Sequence, residues 1–121
     1  RNCAVGDHVG KIGIRQEITD NSGDRMLDTA GKGVELISLD SLRFDDVDLV
    51  KIDVQGYEYY VIAGGIKSLR YNRPVCLIEI ENNKKYKTAF TVAAKRGLGI
   101  LSSIGAGCID VIGCDQIWGF L

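Results

Sequence analysis

Two short apolar stretches, Leu49 to Val54 and Val75 to Ile80, bracket a segment with helical spacing from Tyr57 to Tyr71. Nothing else in the chain constrains the fold as strongly. Two strands separated by a helix pair in parallel, through a crossover that packs the helix on the sheet. The first stretch is apolar except for Lys51 and Asp53, as expected of a central strand covered on both faces. In the helical segment Val61, Gly65 and Leu69 share one stripe, with Ile62 and Ile66 beside it. Gly64-Gly65 lowers helix propensity there, and marks either close packing on the sheet or a break. Asn72-Arg-Pro74 ends the helix.

The flanking segments complete an α/β pattern. Asn2 to Val5 reads as a short strand ending at Gly6-Asp7, and Lys11 to Ile18 as a strand with Ile12, Ile14 and Ile18 on one side. Asp20-Asn-Ser-Gly-Asp24 reads as a turn, Gly31-Lys-Gly33 as a flexible spot, and Val34 to Leu39 as a further strand. A short helical turn starts at Asp40-Ser-Leu42. Asn82 or Asn83 caps a helix over Lys84 to Arg96, with Tyr86, Phe90, Ala93 and Ala94 as its apolar stripe. Gly97 and Gly99 are expected to end it. Ile100 to Ile104 and Ile109 to Ile112 then read as two strands joined by Gly105-Ala-Gly107. Strands alternating with helices imply a mainly parallel sheet, closed by a C-terminal antiparallel hairpin.

The 121 residues suffice for one small domain with a single core. A composition 45% hydrophobic and 26% charged is that of an ordinary globular chain. The net charge of −1 gives no general attraction to nucleic acid or to anionic membranes, and no apolar run has the length of a bilayer span. The lysines at 84, 85, 87 and 95 are most simply a solvated helix face. Cys76 sits in a strand and reads as a small core residue. Cys108 and Cys114 are spaced more widely than a zinc knuckle, and His8 is the only histidine, so no metal is expected. Nothing signals an oxidising compartment, and a cytoplasmic setting is expected.

The chemistry gathers at strand ends. Asp53 closes a strand just before Gly56, and in an open α/β sheet that end faces the ligand crevice. A glycine there lets a ligand approach the backbone. The alternative for Asp53 is a helix cap or turn acid. Lys51 is costly to bury unpaired, so it pairs with Asp53 or Glu79, binds substrate, or snorkels from a sheet edge. Glu58 lies in a first helical turn, which suits the helix dipole. Glu79 and Glu81 end the next strand, and are either a carboxylate pair for general-base work or solvated side chains. Asp7 follows Gly6 at a strand end or in a turn, with His8 next to it.

Asp40-Ser-Leu42, Val47-Asp-Leu-Val-Lys-Ile-Asp-Val-Gln-Gly-Tyr-Glu58, Val61-Ile-Ala-Gly-Gly65, Arg73-Pro74 and Leu77-Ile-Glu79 occur in that order. This string resembles the C-terminal half of the FkbM family of S-adenosylmethionine-dependent methyltransferases. The family pattern runs L-D-x-L, then D-x-(I/V)-K-I-D-V-E-G-x-E, then V-L-x-G, then R-P and a strand ending in Glu. The match spans about Val34 to Glu81. The resemblance implies a Rossmann-like class I methyltransferase sheet. It implies S-adenosylmethionine as cofactor, and methyl transfer to a hydroxyl of a sugar, glycan or secondary metabolite by displacement at the sulfonium. It places Asp53 at the methyl-transfer pocket and Asp7 near the adenine; Lys51 and Glu79 are candidates for the same pocket, and Gly56 and Glu58 candidates beside the cofactor.

Two departures stand out. Gln55 occupies the position of a family glutamate, and the D-x-G-A-N-x-G-like cofactor turn has no counterpart here. By resemblance, the first two β–α units are missing, and their strands belong between those at Asn2 and Leu49. A gap or exposed edges are then expected, with self-association through those edges as one outcome, and the chain alone is expected to be inactive. Two other readings remain at this stage. One is a different nucleotide-binding α/β protein, which would also need a phosphate loop. The other is a non-enzymatic interaction or assembly domain.

Overall fold

The computed structural model describes residues 2–16, 25–28, 33–80 and 87–120. Its elements are β1 (Ala4–Gly6), β2 (Gly10–Gln16), β3 (Arg25–Asp28), β4 (Val34–Ser38), α1 (Leu39–Leu42), β5 (Leu49–Ile52), α2 (Glu58–Ala63), α3 (Ile66–Asn72), β6 (Val75–Glu79), α4 (Lys87–Ser103), β7 (Ala106–Ile112) and β8 (Asp115–Phe120). They form two four-stranded sheets, β1-β4-β2-β3 and β5-β6-β8-β7.

The strand–helix–strand unit is as expected: β5 and β6 pair in parallel, Ile52 against Ile78. The expectation of a mainly parallel sheet is not met. Parallel ladders join β1 to β4 and β5 to β6. Antiparallel ladders join β2 to β3, β2 to β4, β6 to β8 and β7 to β8. Hairpin connections are short enough to need no crossover, and they dominate both ends of the chain. β1 and β5 each end their own sheet and, among the described residues, share no ladder.

β5 is therefore an edge strand, not a central one. Its side chains alternate, with Ile52 buried and Leu49 62% exposed. Lys51 faces outward with Leu49 and avoids the cost of burial altogether. Ile52, Cys76, Ile78 and Ala106 form the core with Val61, Ile62, Leu69 and Leu101 of the helices. The Cys76 thiol is pushed up to about 11 by burial, so it is an inert packing group as expected. In the first sheet β4 lies between β1 and β2, and successive residues Leu36 and Ile37 are both buried.

The single helix expected over Tyr57 to Tyr71 is two. Gly64-Gly65 breaks it, and both glycines are also close-packed, so the two alternatives hold together. A Cβ on Gly64 would overlap the Gly6 carbonyl oxygen, and one on Gly65 would come within 2.8 Å of Leu39 Cδ1. The new helix start at α3 is capped from outside. Asp40 Oδ1 accepts from Ser68 N at 2.8 Å and Oδ2 from Lys67 N at 3.2 Å. Two N–H groups orphaned by the break are thereby satisfied. Asn72 fastens the other end, accepting from Val47 N and donating to the Phe44 and Ser68 carbonyls. Arg73 terminates α3 in the left-handed conformation.

The strand expected at Ile100 to Ile104 is not one. α4 continues through Gly97 and Gly99 to Ser103. Gly97 does not stop the helix but lets it cross α2 closely, since a Cβ there would stand 3.1 Å from Ile62 Cδ1 and 3.2 Å from Tyr59 Cα. Buried Ala94 and Leu101 hold the helix down against the propensity cost. Gly105, at φ 102°, closes α4 as a left-handed cap and is not a hairpin turn. The hairpin is β7–β8, turned at Gly113 (φ 64°) and Cys114. The turn expected at Asp20 to Asp24, the flexible spot at Gly31-Lys32, the Asn82 or Asn83 cap, Glu81, Lys84 and Lys85 lie outside the described residues. β3 carries no apolar alternation and was not legible. No helix of the described structure is long and apolar enough to cross a membrane.

Candidate active site at the strand ends

The carboxyl ends of the two parallel ladders carry the candidate residues. β5 ends at Ile52, Asp53 follows, and the chain reverses through Val54-Gln55-Gly56-Tyr57, closed by Tyr57 N donating to Val54 O at 3.2 Å. Both central residues have positive φ, 51° at Gln55 and 92° at Gly56, which is the geometry of a type I′ turn. Glycine suits the second position; at the first, Gln55 holds a conformation that side chains disfavour. Glu58 lies beneath the turn, 2% exposed, and its Oε1 accepts from Gly56 N at 2.9 Å. The buried carboxylate is thus spent on the turn's own backbone. Both Gly56 and Glu58 shape the loop on which Asp53 is presented.

Asp53, Lys51 and Glu79 come together, as the sequence suggested. Lys51 Nζ stands 3.7 Å from Asp53 Oδ2, with both side chains open to solvent. Gln55 Nε2 donates to Asp53 Oδ1 at 3.4 Å. Glu79 ends β6, and the antiparallel ladder sets Asp115 of β8 opposite it. The Glu79 carboxyl is held above the ordinary glutamate value. The main cause is the charge of Asp53, followed by partial loss of water, the charge of Asp115 and a hydrogen bond shared with Asp53; Lys51 acts in the opposite sense.

That shift fixes a pH dependence. A carboxyl whose folded value is raised contributes stability that is complete below its unfolded value, 4.5 for glutamate, and is lost as pH rises through the raised value. Glu79→Gln keeps a hydrogen-bond donor and removes the charge. The variant is expected to be more stable than the wild type at neutral pH, with the difference closing as the pH falls below the ordinary glutamate range. Thermal melts across that range check it; a difference independent of pH would refute the repulsion between Glu79 and its acidic neighbours.

Asp7 lies apart from this cluster, in a cleft of about 320 Å³ lined by Asp7, His8, Lys11, Ile12, Leu36, Tyr57 and Tyr60. Its carboxylate accepts from His8 Nδ1 at 2.7 Å. The Tyr57 and Tyr60 rings stack with centroids 4.4 Å apart. The Tyr57 phenol is raised by burial first, then by the charge of Asp7 and by Tyr60. Tyr57 closes the turn that begins beyond Asp53, so one short loop borders both the carboxylate cluster and the aromatic cleft. Sequence reasoning missed Tyr57, Tyr60 and Asp115. The tyrosines read as ordinary helix residues, and Asp115 arrives only through the β6–β8 register. Among the described residues no group of three or more His, Cys, Asp or Glu side chains is placed to hold a metal ion.

A family model for the methyltransferase FkbM domain matches residues 1–96. The chain belongs to the FkbM methyltransferase family. The match includes the strand, the type I′ turn, α2, α3 and β6, so every candidate residue named above except Asp115 lies inside the FkbM domain. A crystal structure of methyltransferase FkbM from Methylobacillus flagellatus KT is similar in fold, with a TM-score of 0.56 and 15% identity. The similarity covers 98% of this chain and 27% of that one, so this FkbM chain spans about a quarter of the solved structure. Among curated proteins there is no significant sequence match. Three of the motif residues now have structural explanations: Asp40 caps α3, Gly64 admits β1 against the α2–α3 break, and Gly65 admits Leu39.

Proposed function

We propose that this FkbM chain belongs to an S-adenosylmethionine-dependent O-methyltransferase acting on a hydroxyl of a sugar, glycan or secondary metabolite. The observation that carries the reading is the juxtaposition of two sites on one turn: the Asp53–Glu79 pair with Lys51, and the aromatic cleft with Asp7. The residues present suit the adenosyl part of the cofactor. Tyr57 and Tyr60 offer a stacked aromatic wall, Asp7 an acceptor for an exocyclic amine, and the neighbouring acids a favourable field for a sulfonium cation. When bound, S-adenosylmethionine supplies the methyl group. Asp53 accepts the proton of the acceptor hydroxyl, Lys51 steadies the Asp53 carboxylate, and Glu79 flanks the same crevice. Gly56 keeps the loop backbone low beside the cofactor, and Glu58 holds it there.

The two sheets are read as parts of one Rossmann-like class I sheet, in which the missing β–α units fall between β1 and β5. The separate edges of those strands and the 27% coverage of the FkbM crystal structure support this. The test is calorimetric titration of S-adenosylhomocysteine into the polypeptide as encoded, with any upstream sequence included. One-to-one binding that weakens on Asp7→Ala is expected. Absence of binding at millimolar ligand would overturn the reading and favour an assembly role.

A further inference from the structure

The described helices pack on one face of the second sheet. Ile52, Cys76 and Ile78 point toward them into the core, and Val50, Trp118 and Phe120 pack there too. Alternation along each strand sends the residues between to the opposite face. Leu49, Val75, Ile109 and Ile112 are exposed on that face, and Leu77 and Ile117 of the two inner strands are half-buried. None of the six belongs to the core. Ile109 is the extra residue of the β7 bulge, and its Cδ1 reaches to 2.6 Å from where a Cβ of Gly119 would stand. Contiguous apolar surface of this kind marks a contact site.

The ladders also arrange charge. Lys51 pairs with Leu77, Leu77 with Ile117, and Ile117 with Asp110, so one row crosses the sheet as cation, apolar, apolar, anion. Lys51 and Asp110 stand on the two edge strands, β5 and β7. We infer that this face docks a second copy of the chain, the two sheets packing face to face about a twofold axis parallel to the strands. The axis passes over the middle of the row. It lays Leu77 of one copy on Ile117 of the other and Lys51 on Asp110, and each contact occurs twice. Such self-complementarity is what an isologous dimer requires. On the preceding row, where Leu49 pairs with Val75, the same operation sets Val75 against Ile109 over Gly119. At the strand carboxyl ends it sets Glu79 opposite Asp115, a like-charge row at the margin that weakens the dimer. A twofold axis across the strands does worse, stacking Lys51 on Lys51, Asp110 on Asp110 and Val75 on Glu79. Four strands about 4.8 Å apart make a face roughly 15–20 Å wide. That is small for a specific interface, so weak, micromolar association is expected. The inference goes beyond methyl transfer and does not rest on it.

The experiment is sedimentation velocity of the 121-residue chain over roughly 1 μM to 1 mM, as wild type, Lys51→Asp and Asp110→Lys. Both side chains are exposed, so each variant keeps the fold, which circular dichroism checks. The wild type is expected to form dimers in the upper part of the range. Each single variant meets like charge across both symmetry-related contacts and should associate at least about ten-fold more weakly. An equimolar mixture of the two variants is the decisive sample. One copy then carries acids at positions 51 and 110 and the other carries lysines at both, so mixed dimers return at close to the wild-type constant. A wild type that stays monomeric throughout overturns the inference and leaves the face to another cover. Wild-type dimers that neither substitution weakens also overturn it, placing the contact elsewhere, as at the open edges of β5 or β7. A mixture that stays monomeric overturns the twofold arrangement.

Discussion

Gly64→Ala is expected to destabilise the protein by about 3 kcal/mol or more, the upper range for overpacking a close contact. The added methyl would overlap the Gly6 carbonyl oxygen and lie 2.9 Å from Asp7 Cα, and both are backbone atoms with little freedom to yield. The same contact seats the end of β1 against the α2–α3 break, so relief can come only by moving Asp7 away from Tyr57 and opening the cleft. Gly99→Ala is the control. It lies in α4 with nothing within 4 Å, and alanine there is expected to stabilise by about 0.5–1 kcal/mol through helix propensity alone. Urea denaturation of the pair against wild type checks both signs. A Gly64→Ala protein with an unaltered midpoint would show that β1 is not seated on this break.

The second large effect concerns chemistry. Asp53→Asn keeps the size and shape of the side chain but removes the proton acceptor. Methyl transfer by the polypeptide as encoded is expected to fall roughly 10²–10⁴-fold, the usual worth of a positioned general base. Stability at neutral pH should not fall, because the ion pair with Lys51 is a surface one and the substitution also removes the charge that opposes Glu79. The assay follows S-adenosylhomocysteine formation with hydroxylated acceptors, and circular dichroism confirms the fold. Activity within about two-fold of wild type would remove Asp53 from the base role and leave proximity and orientation as the source of rate.

Much of the second sheet's architecture was legible because its signals are local. The apolar runs at β5 and β6, the Asn72-Arg-Pro74 stop and the Gly64-Gly65 interruption all act within a few residues of themselves. The two misread glycine signals failed for a tertiary reason. Gly97 looks like a helix stop until α2 is placed against it, whereupon the absent side chain becomes the condition for close crossing. Gly105 looks like a hairpin turn until the helix is known to run up to it. β5 was read as doubly covered because a mostly apolar run does not reveal which neighbours are present.

The candidate site divides along the same line. Lys51, Asp53, Gly56, Glu58, Glu79 and Asp7 were identifiable from strand ends and from the resemblance, because a strand's carboxyl end is defined by sequence alone. Their separation into roles required distances. Glu58 is a buried partner of Gly56 N, while Lys51 and Gln55 both turn toward Asp53.

By itself the sequence determined the β5–helix–β6 unit, the family and the residues presented at the strand ends, since each follows from patterns a few residues long. Only the tertiary structure decided the mixed pairing, the edge position of β5, the trans cap by Asp40 and the meeting of Asp53, Glu79 and Asp115. Each of those depends on how distant elements are placed, which brings together residues 26 positions apart at Asp53 and Glu79, 27 at Asp40 and Lys67 and 36 at Glu79 and Asp115, and which no local pattern encodes.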